Sequence, residues 1–357
     1  VAVHCPEGSA DLDLPPDVAF HRHPFPGSRR LSGLARLAAP VRALSRLGKF
    51  RALCSRIAAT MNAEADAALV HNSMYVAAPP LLARLSVPSV YFCYEYPRHI
   101  YERSLIRRTG SPLLEALLAP LSAMEKRIDR ESTAAAGSVA CLSAYMAGRI
   151  KAIYGLRAEV IRPGVDSRFF CPSGRGGGGG YALSVGALWP FKGHEFVAAA
   201  VAAAGLRDLV IVADRELPGY RRRLRSLCGS LGVRALILGG LTDRELREVY
   251  RNAVVVVCGQ AMEPYGMVPL EAAACGRPVV AADEGGLPEN VLDAETGFVV
   301  PRDVSEAGDR IARLAGDPRG ADAMGAAGRA FVLARRRRED AAEALYRIIC
   351  GTAGIEA

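Results

Sequence analysis

From residue 181 the chain alternates short apolar runs with helical patterns, and this alternation limits the fold more than any other feature. In order they read "YALSVGAL", "HEFVAAAVAAAG", "DLVIVAD", "GYRRRLRSLCGSLG", "RALILGG", "DRELREVYRNA" and "VVVVCG". Apolar runs without polar alternation are strands buried on both faces, as in parallel sheets. Strands and helices in strict alternation give a parallel, doubly wound sheet. Before residue 173 the pattern is looser, yet "DAALVHNS", "SVYFCYE" and "GSVACLS" also read as buried strands with helical segments between them.

The glycine run "SGRGGGGG", Ser173–Gly180, separates these halves and reads as a flexible linker. A length of 357 residues suits two domains rather than one core. The expectation is therefore two Rossmann-like doubly wound domains facing each other across a cleft, with ligands at the carboxyl ends of the strands. Residues 1–170 form the first domain, 171–180 the linker and 181–335 the second domain. Residues 336–357 form a terminal helix.

Composition excludes several classes. No apolar run reaches the length of a membrane span, and the first residues lack the basic start and apolar core of a signal peptide. Nine cysteines without a CxxC pair suit neither a disulfide framework nor a zinc site, so they read as reduced and the chain as cytoplasmic. Six histidines show no metal-ligand spacing; His21 and His23 read as surface residues. "DLD", Asp11–Asp13, sits among polar loop residues and is set aside as a metal motif. Between Arg29 and Arg56 eight Lys and Arg residues occur without an acidic one, while Leu34, Leu37, Val41, Leu44, Leu47 and Phe50 recur at helical spacing. Such a stretch can lie at an anionic membrane surface or meet a phosphorylated substrate; a solvated helix face is the plainer reading. Nucleic acid is disfavoured, since stacking aromatics are not interleaved along the stretch, Phe50 being its one aromatic residue.

The strand ends carry the chemistry. In "SVGALWPFKGHEF" a strand ends at Val185–Gly186, and Lys192 precedes a helix N-terminus, where a cation can meet phosphate oxygens. In "EPYGMVPLEAAACG", Glu263 lies in the loop after a buried strand and Glu271 about one turn inside the next helix. Pro269 fits because it falls in that helix's first turn. The amides of Gly266, Met267 and Val268 attract an anion. Two carboxylates beside an anion site are better matched to neutral donors such as sugar and ribose hydroxyls. "EGGLPENV", Glu284–Val291, reads as a further backbone loop at the same sheet edge or as a plain tight turn.

These residues resemble the retaining glycosyltransferases of family 4, which have the GT-B fold. The resemblance rests on "EPYGMVPLE" as Glu-x7-Glu, on "AAACGRPVVAADEGGLPENV", and on "VGALWPFKG", "GGLTDRELREVYRNA", "VIRPGVDSRFF" and "CLSAYMAGRIKAIYG" in the family's order. It implies that Glu271 binds ribose hydroxyls, that Glu263 binds the donor sugar, and that Lys192 neutralises the leaving diphosphate. Gly266, Met267 and Val268 would offer backbone amides to the donor, Gly186 would also border it, and Gly239, Gly240 and Leu241 would lie beside the base. Arg162–Asp166 would close the first domain, and the terminal helix would pack back on it. The implied reaction moves a sugar from a nucleotide-diphosphate sugar to a hydroxyl of a glycan, lipid-linked or small-molecule acceptor, without metal or cofactor. An epimerase, a phosphorylase or a donor-binding homologue without turnover are the alternatives on this fold.

Two positions and the opening segment depart from the family. Ala187 stands where the family usually has Arg, and Tyr94 where it often has His. The family's opening strand, glycine loop and helix have no counterpart before Val1. The resemblance thus implies either a chain that starts inside the first domain or a Val1–Cys5 strand standing in for the missing central one.

Overall fold

The structure is a computed structural model that describes residues 1–6, 18–24, 39–102, 112–173 and 180–356. Asp11–Asp13, the basic residues before Ala39 and most of the glycine run lie outside these residues. The chain divides into two compact units. One comprises Val1–Cys141, Ile150–Glu159 and Tyr346–Ala357, the other Leu142–Arg149 and Val160–Leu345.

The first unit opens with strands β1 (Ala2–Pro6) and β2 (Ala19–His23), helix α1 (Ala39–Glu64), and strands β3 (Ala68–His71) and β4 (Ser89–Cys93). Helices α2 (Arg98–Tyr101) and α3 (Pro112–Ala134), strand β5 (Ser138–Cys141), helix α4 (Ala144–Tyr154) and strand β6 (Glu159–Val160) follow. β3, β4, β5 and β6 form one sheet in that order. β1 pairs in parallel with β2 in a separate two-stranded sheet, so among the described residues it does not stand in for a central strand. That pairing sets His4 opposite His21, with His4 Nδ1 3.1 Å from His23 Nε2. The surface histidines of the sequence reading therefore have a third imidazole beside them.

α1 takes up the part of the amphipathic stretch Arg29–Arg56 from Ala39 on, and it is a helix with one buried apolar side and a solvated basic face. Leu47, Phe50, Leu53, Cys54 and Ile57 are buried against Tyr75, Val76, Leu81, Leu118 and Leu121 of the same unit. This apolar side is spent on the unit's own core and is closed to a bilayer. Leu44 remains exposed, as do Lys49, Arg51 and Arg56.

The second unit contains strands β7 (Tyr181–Val185), β8 (Asp208–Val212), β9 (Arg234–Leu238), β10 (Ala253–Cys258), β11 (Val279–Ala282) and β12 (Gly297–Val300). They form one parallel sheet in the order β12-β11-β10-β7-β8-β9. Helices α5 (His194–Ala203), α6 (Tyr220–Ser230), α7 (Asp243–Asn252), α8 (Met267–Ala274), α9 (Val304–Gly316), α10 (Pro318–Arg335) and α11 (Arg338–Ala353) complete the chain. Order reverses between β7 and β10, which diverge in opposite directions from the sheet centre; such a switch point leaves room for a ligand at the strand ends.

Local chemistry explains where these elements start. Thr242 and Glu245 form a reciprocal capping box at α7. Asp303 and Asp317 cap α9 and α10 through their side chains. The core lies on both faces of the sheet: Val197, Val201, Ile211, Leu224 and Ile311 on one, Leu183, Val256, Ala272 and Val279 on the other. The second half of α11, from Tyr346 on, belongs to the first unit, where Thr352 Oγ1 donates 2.8 Å to Ser138 Oγ.

The units do not divide at the glycine run, because the first turn of α4 and Val160–Pro172 are held by the second unit. Glu289 accepts the amides of Ala144 and Tyr145, each at 3.0 Å, and the guanidinium of Arg162 at 3.0 Å. Ser143 donates to the Pro264 carbonyl, and Tyr265 to that of Pro163. Gly164 touches the Arg337–Arg338 backbone so closely that a Cβ would sit 2.2 Å from Arg337 C.

Candidate active site

The carboxyl ends of β7 and β10 bring Lys192 and Glu263 together. After β7, Gly186 takes a φ of +153°, and the stem of Lys192 runs across it. Lys192 ends a single 3-10 turn over Pro190–Lys192, and Gly193 follows at φ +71°. A Cβ on Gly193 would meet Gly259 O at 1.7 Å, so this turn packs directly on the backbone leaving β10. From there Lys192 Nζ reaches Glu263 Oε2 at 2.7 Å. The two side chains keep 23% and 18% of their exposure, enough to admit a ligand.

The Glu263 backbone is clamped by the second glycine turn. Gly286 N donates 2.7 Å to Glu263 O, and a Cβ on Gly285 would fall 2.4 Å from the same oxygen. The sequence left "EGG" open between a functional loop and a plain turn; this packing makes it the support of Glu263. Glu284 accepts from Met262 N at 3.3 Å and pairs with Arg302, which also donates to Gly259 O. Met262 sits at φ +51°, a strained value for a residue with a Cβ, immediately before Glu263.

Gly266, at φ +90°, is the N-cap of α8, and no side chain caps that helix. Its first turn presents the amides of Met267 and Val268 together with the positive end of the helix dipole. Asn290 Nδ2 binds the carbonyls of Tyr265 and Gly266 and so fixes the turn. Glu271 lies on α8 itself, where its Oε2 accepts from the hydroxyl of the fully buried Tyr250 at 2.6 Å. Burial raises the Glu271 carboxyl above the usual carboxylate range, and the Tyr250 bond opposes part of that rise. Gly239 approaches Ala213 O closely, Gly240 donates its amide to Asp214, and Leu241 packs on the core beside Leu238.

Lys192, Glu263, Glu271 and the α8 amides thus belong to neighbouring strand ends of one unit. The sequence reading missed Tyr250 and His194. His194 is fully buried at the start of α5, and its position directly after Lys192–Gly193 was the available signal. A surface groove of about 730 Å3 along α6 carries none of the candidate residues. Among the described residues no His, Cys, Asp and Glu group is arranged to hold a metal.

Residues 180–317 match the family described as glycosyl transferases group 1. An alpha-maltose-1-phosphate synthase of Mycobacterium tuberculosis is 30% identical over 321 residues, covering 80% of each chain. The chain belongs to the group 1 glycosyltransferases. Like them it is an enzyme of sugar transfer.

Solved structures agree on the fold. Sucrose-phosphate synthase from Thermosynechococcus elongatus superposes with a TM-score of 0.70 at 22% identity, over 87% of this glycosyltransferase and 80% of that chain. Anabaena HepE in complex with UDP and glucose gives 0.69 at 19% identity, over 92% and 86%. The fold is GT-B.

Proposed function

We propose that this glycosyltransferase, as a family 4 member carrying Glu-x7-Glu, moves a sugar from a nucleotide-diphosphate sugar to an acceptor hydroxyl with retention of configuration. The observation that carries this reading is the Lys192–Glu263 pair at 2.7 Å beside the uncapped N-terminus of α8. A cation, free amides and a carboxylate at adjoining strand ends suit a ligand with an anionic leaving group and a hydroxyl-rich body.

In the proposed reaction the bond between the anomeric carbon and the diphosphate oxygen breaks. Its electron pair goes to the diphosphate, where Lys192 Nζ and the amides of Gly266, Met267 and Val268 stabilise the charge. Glu263 accepts hydroxyls of the sugar, and Glu271 accepts ribose hydroxyls once the donor is bound. Gly186 leaves space for the diphosphate, and Gly239, Gly240 and Leu241 border the base. The acceptor hydroxyl attacks from the face the diphosphate leaves, and its proton passes to the departing phosphate oxygen. The second unit serves as the donor half and the first as the acceptor half.

The acceptor is a glycan, a lipid-linked sugar or a small molecule. The exposed Lys49, Arg51 and Arg56 of α1 favour an anionic acceptor or a peripheral contact with anionic lipid, at the cytoplasmic side. No described helix is long and apolar enough to cross a membrane.

A thermal-shift panel of nucleotide sugars tests the reading. A bound donor raises Tm with its occupancy, so one nucleotide series should stabilise the chain. Product formed with that donor should keep the donor's anomeric configuration by NMR. A cooperative melt unmoved by every nucleotide sugar would remove the donor assignment, and an inverted product would remove retention.

A further inference from the structure

The buried imidazole of His194 has a specific set of partners. Its Nε2 lies 3.1 Å from Gly186 O and 3.2 Å from Ala187 O, and its Nδ1 lies 3.0 Å from Ser184 Oγ. Carbonyl oxygens only accept, so Nε2 carries the proton, and Nδ1 accepts from the serine hydroxyl. Burial lowers the basicity of the ring, in keeping with this neutral form.

The peptide between Gly186 and Ala187 is trans, since the described chain has no cis bond. In a trans peptide the C=O and the N–H point in opposite directions. With Gly186 O turned onto His194, the Ala187 N–H is turned away from it. The flanking amides are both occupied: Gly186 N donates 2.9 Å to Val212 O and Leu188 N 2.8 Å to Arg215 O. Among the described residues no acceptor takes the Ala187 N–H. This donor emerges at the end of β7, beside the glycine that the Lys192 stem crosses.

We propose that His194 is a positioning residue that aims the Ala187 N–H at the diphosphate of the donor. The inference rests on the donor reading given above. A methyl side chain at 187 leaves the amide accessible, and a fixed backbone dipole needs no reorganisation when charge develops on the leaving group.

Two side chains separate the roles of the ring nitrogens. Gln at 194 can still reach the two carbonyls with its amide nitrogen, whereas Asn is long enough for Ser184 alone. Calorimetry on the full chain compares a nucleoside diphosphate with its parent nucleoside, the base being the one selected by the donor panel. His194→Asn is expected to weaken the diphosphate about tenfold or more, the scale of one hydrogen bond to a charged group. It should leave the nucleoside within about twofold, and His194→Gln should keep most of the diphosphate affinity. Ala187→Pro, which removes the N–H itself, should reproduce the selective loss. Equal losses for diphosphate and nucleoside, or undiminished diphosphate binding in His194→Asn and Ala187→Pro, would overturn the proposal. Absence of any nucleotide binding by the unaltered chain would instead overturn the donor reading beneath it.

Discussion

Lys192 Nζ and Glu263 Oε2 stand 2.7 Å apart, although 71 residues separate them in the chain. Each is the other's charge partner while both remain open to a ligand. Removing one leaves the other desolvated without compensation, and removing both does not. Lys192→Met and Glu263→Gln should each lower Tm, and the double variant should recover most of that loss. Transfer should stay depressed in all three, by about a hundredfold or more, as when one stabiliser of transition-state charge is deleted. Calorimetric melts beside initial-rate assays check this; a double variant that recovers turnover would refute the assignment of both side chains.

Gly193 is the narrowest point of the site. It combines φ +71° with a Cβ position 1.7 Å from Gly259 O. Gly193→Ala should therefore cost about 3 kcal/mol or more, from backbone strain and forced displacement together. Gly205 has a similar φ of +74° but open space around it. Gly205→Ala should cost only about 1 kcal/mol, the left-handed penalty alone. Urea unfolding of the pair distinguishes sterics from backbone preference, and equal costs would contradict the close packing of the Lys192 turn on β10.

Glu289 satisfies two amides at the start of α4 and the guanidinium of Arg162. Glu289→Ala leaves all three without this partner, at a cost of about 1–3 kcal/mol. Glu289→Gln keeps one acceptor oxygen and should lose less. Hydrogen exchange should show faster opening of the Ala144 and Tyr145 amides in Glu289→Ala. Unchanged protection there would mean that the carboxylate does not anchor α4.

The second unit was legible because its strands are buried on both faces, and such strands can be spelled only as unbroken apolar runs. "AVVVVC" leaves little choice, and Thr242 with Glu245 announces the start of α7. The paired glutamates were legible as carboxylates with a purpose, since a short apolar helix gains little from Glu271 in its interior. What stayed hidden depends on partners distant in sequence. Nothing near Ala144 says that its amide will meet Glu289, so the expected break at the glycine run differs from the division of the units. The basic pattern of Arg29–Arg56 was visible, but which side of the helix would be buried depended on α3 and the Tyr75–Leu82 segment. His194 went unread because the partners of its Nε2 are main-chain carbonyls, which carry no sequence signature.

Glu271 offers the sharpest dependence on pH. Its folded-state pKa is raised, chiefly by burial, so the folded protein holds this proton more tightly than the unfolded chain does. The sign follows: stability is favoured at low pH and lost as pH rises from the unfolded value through the folded one. The Tyr250 hydroxyl, which donates to the carboxylate, opposes part of this rise. Glu271→Gln keeps an acceptor for Tyr250 and removes the charge. It should raise Tm at pH 7 by roughly 2–4 °C, about 1 kcal/mol for a unit of this size, and should weaken nucleotide binding. The Tm advantage should shrink as pH falls and vanish towards the ordinary glutamate range near about 4.3, where the unfolded carboxyl becomes neutral as the native one already has. Paired melts of the two proteins from pH 4.5 to 8 measure it; a difference independent of pH would show that the carboxylate charge does not govern the stability of this site.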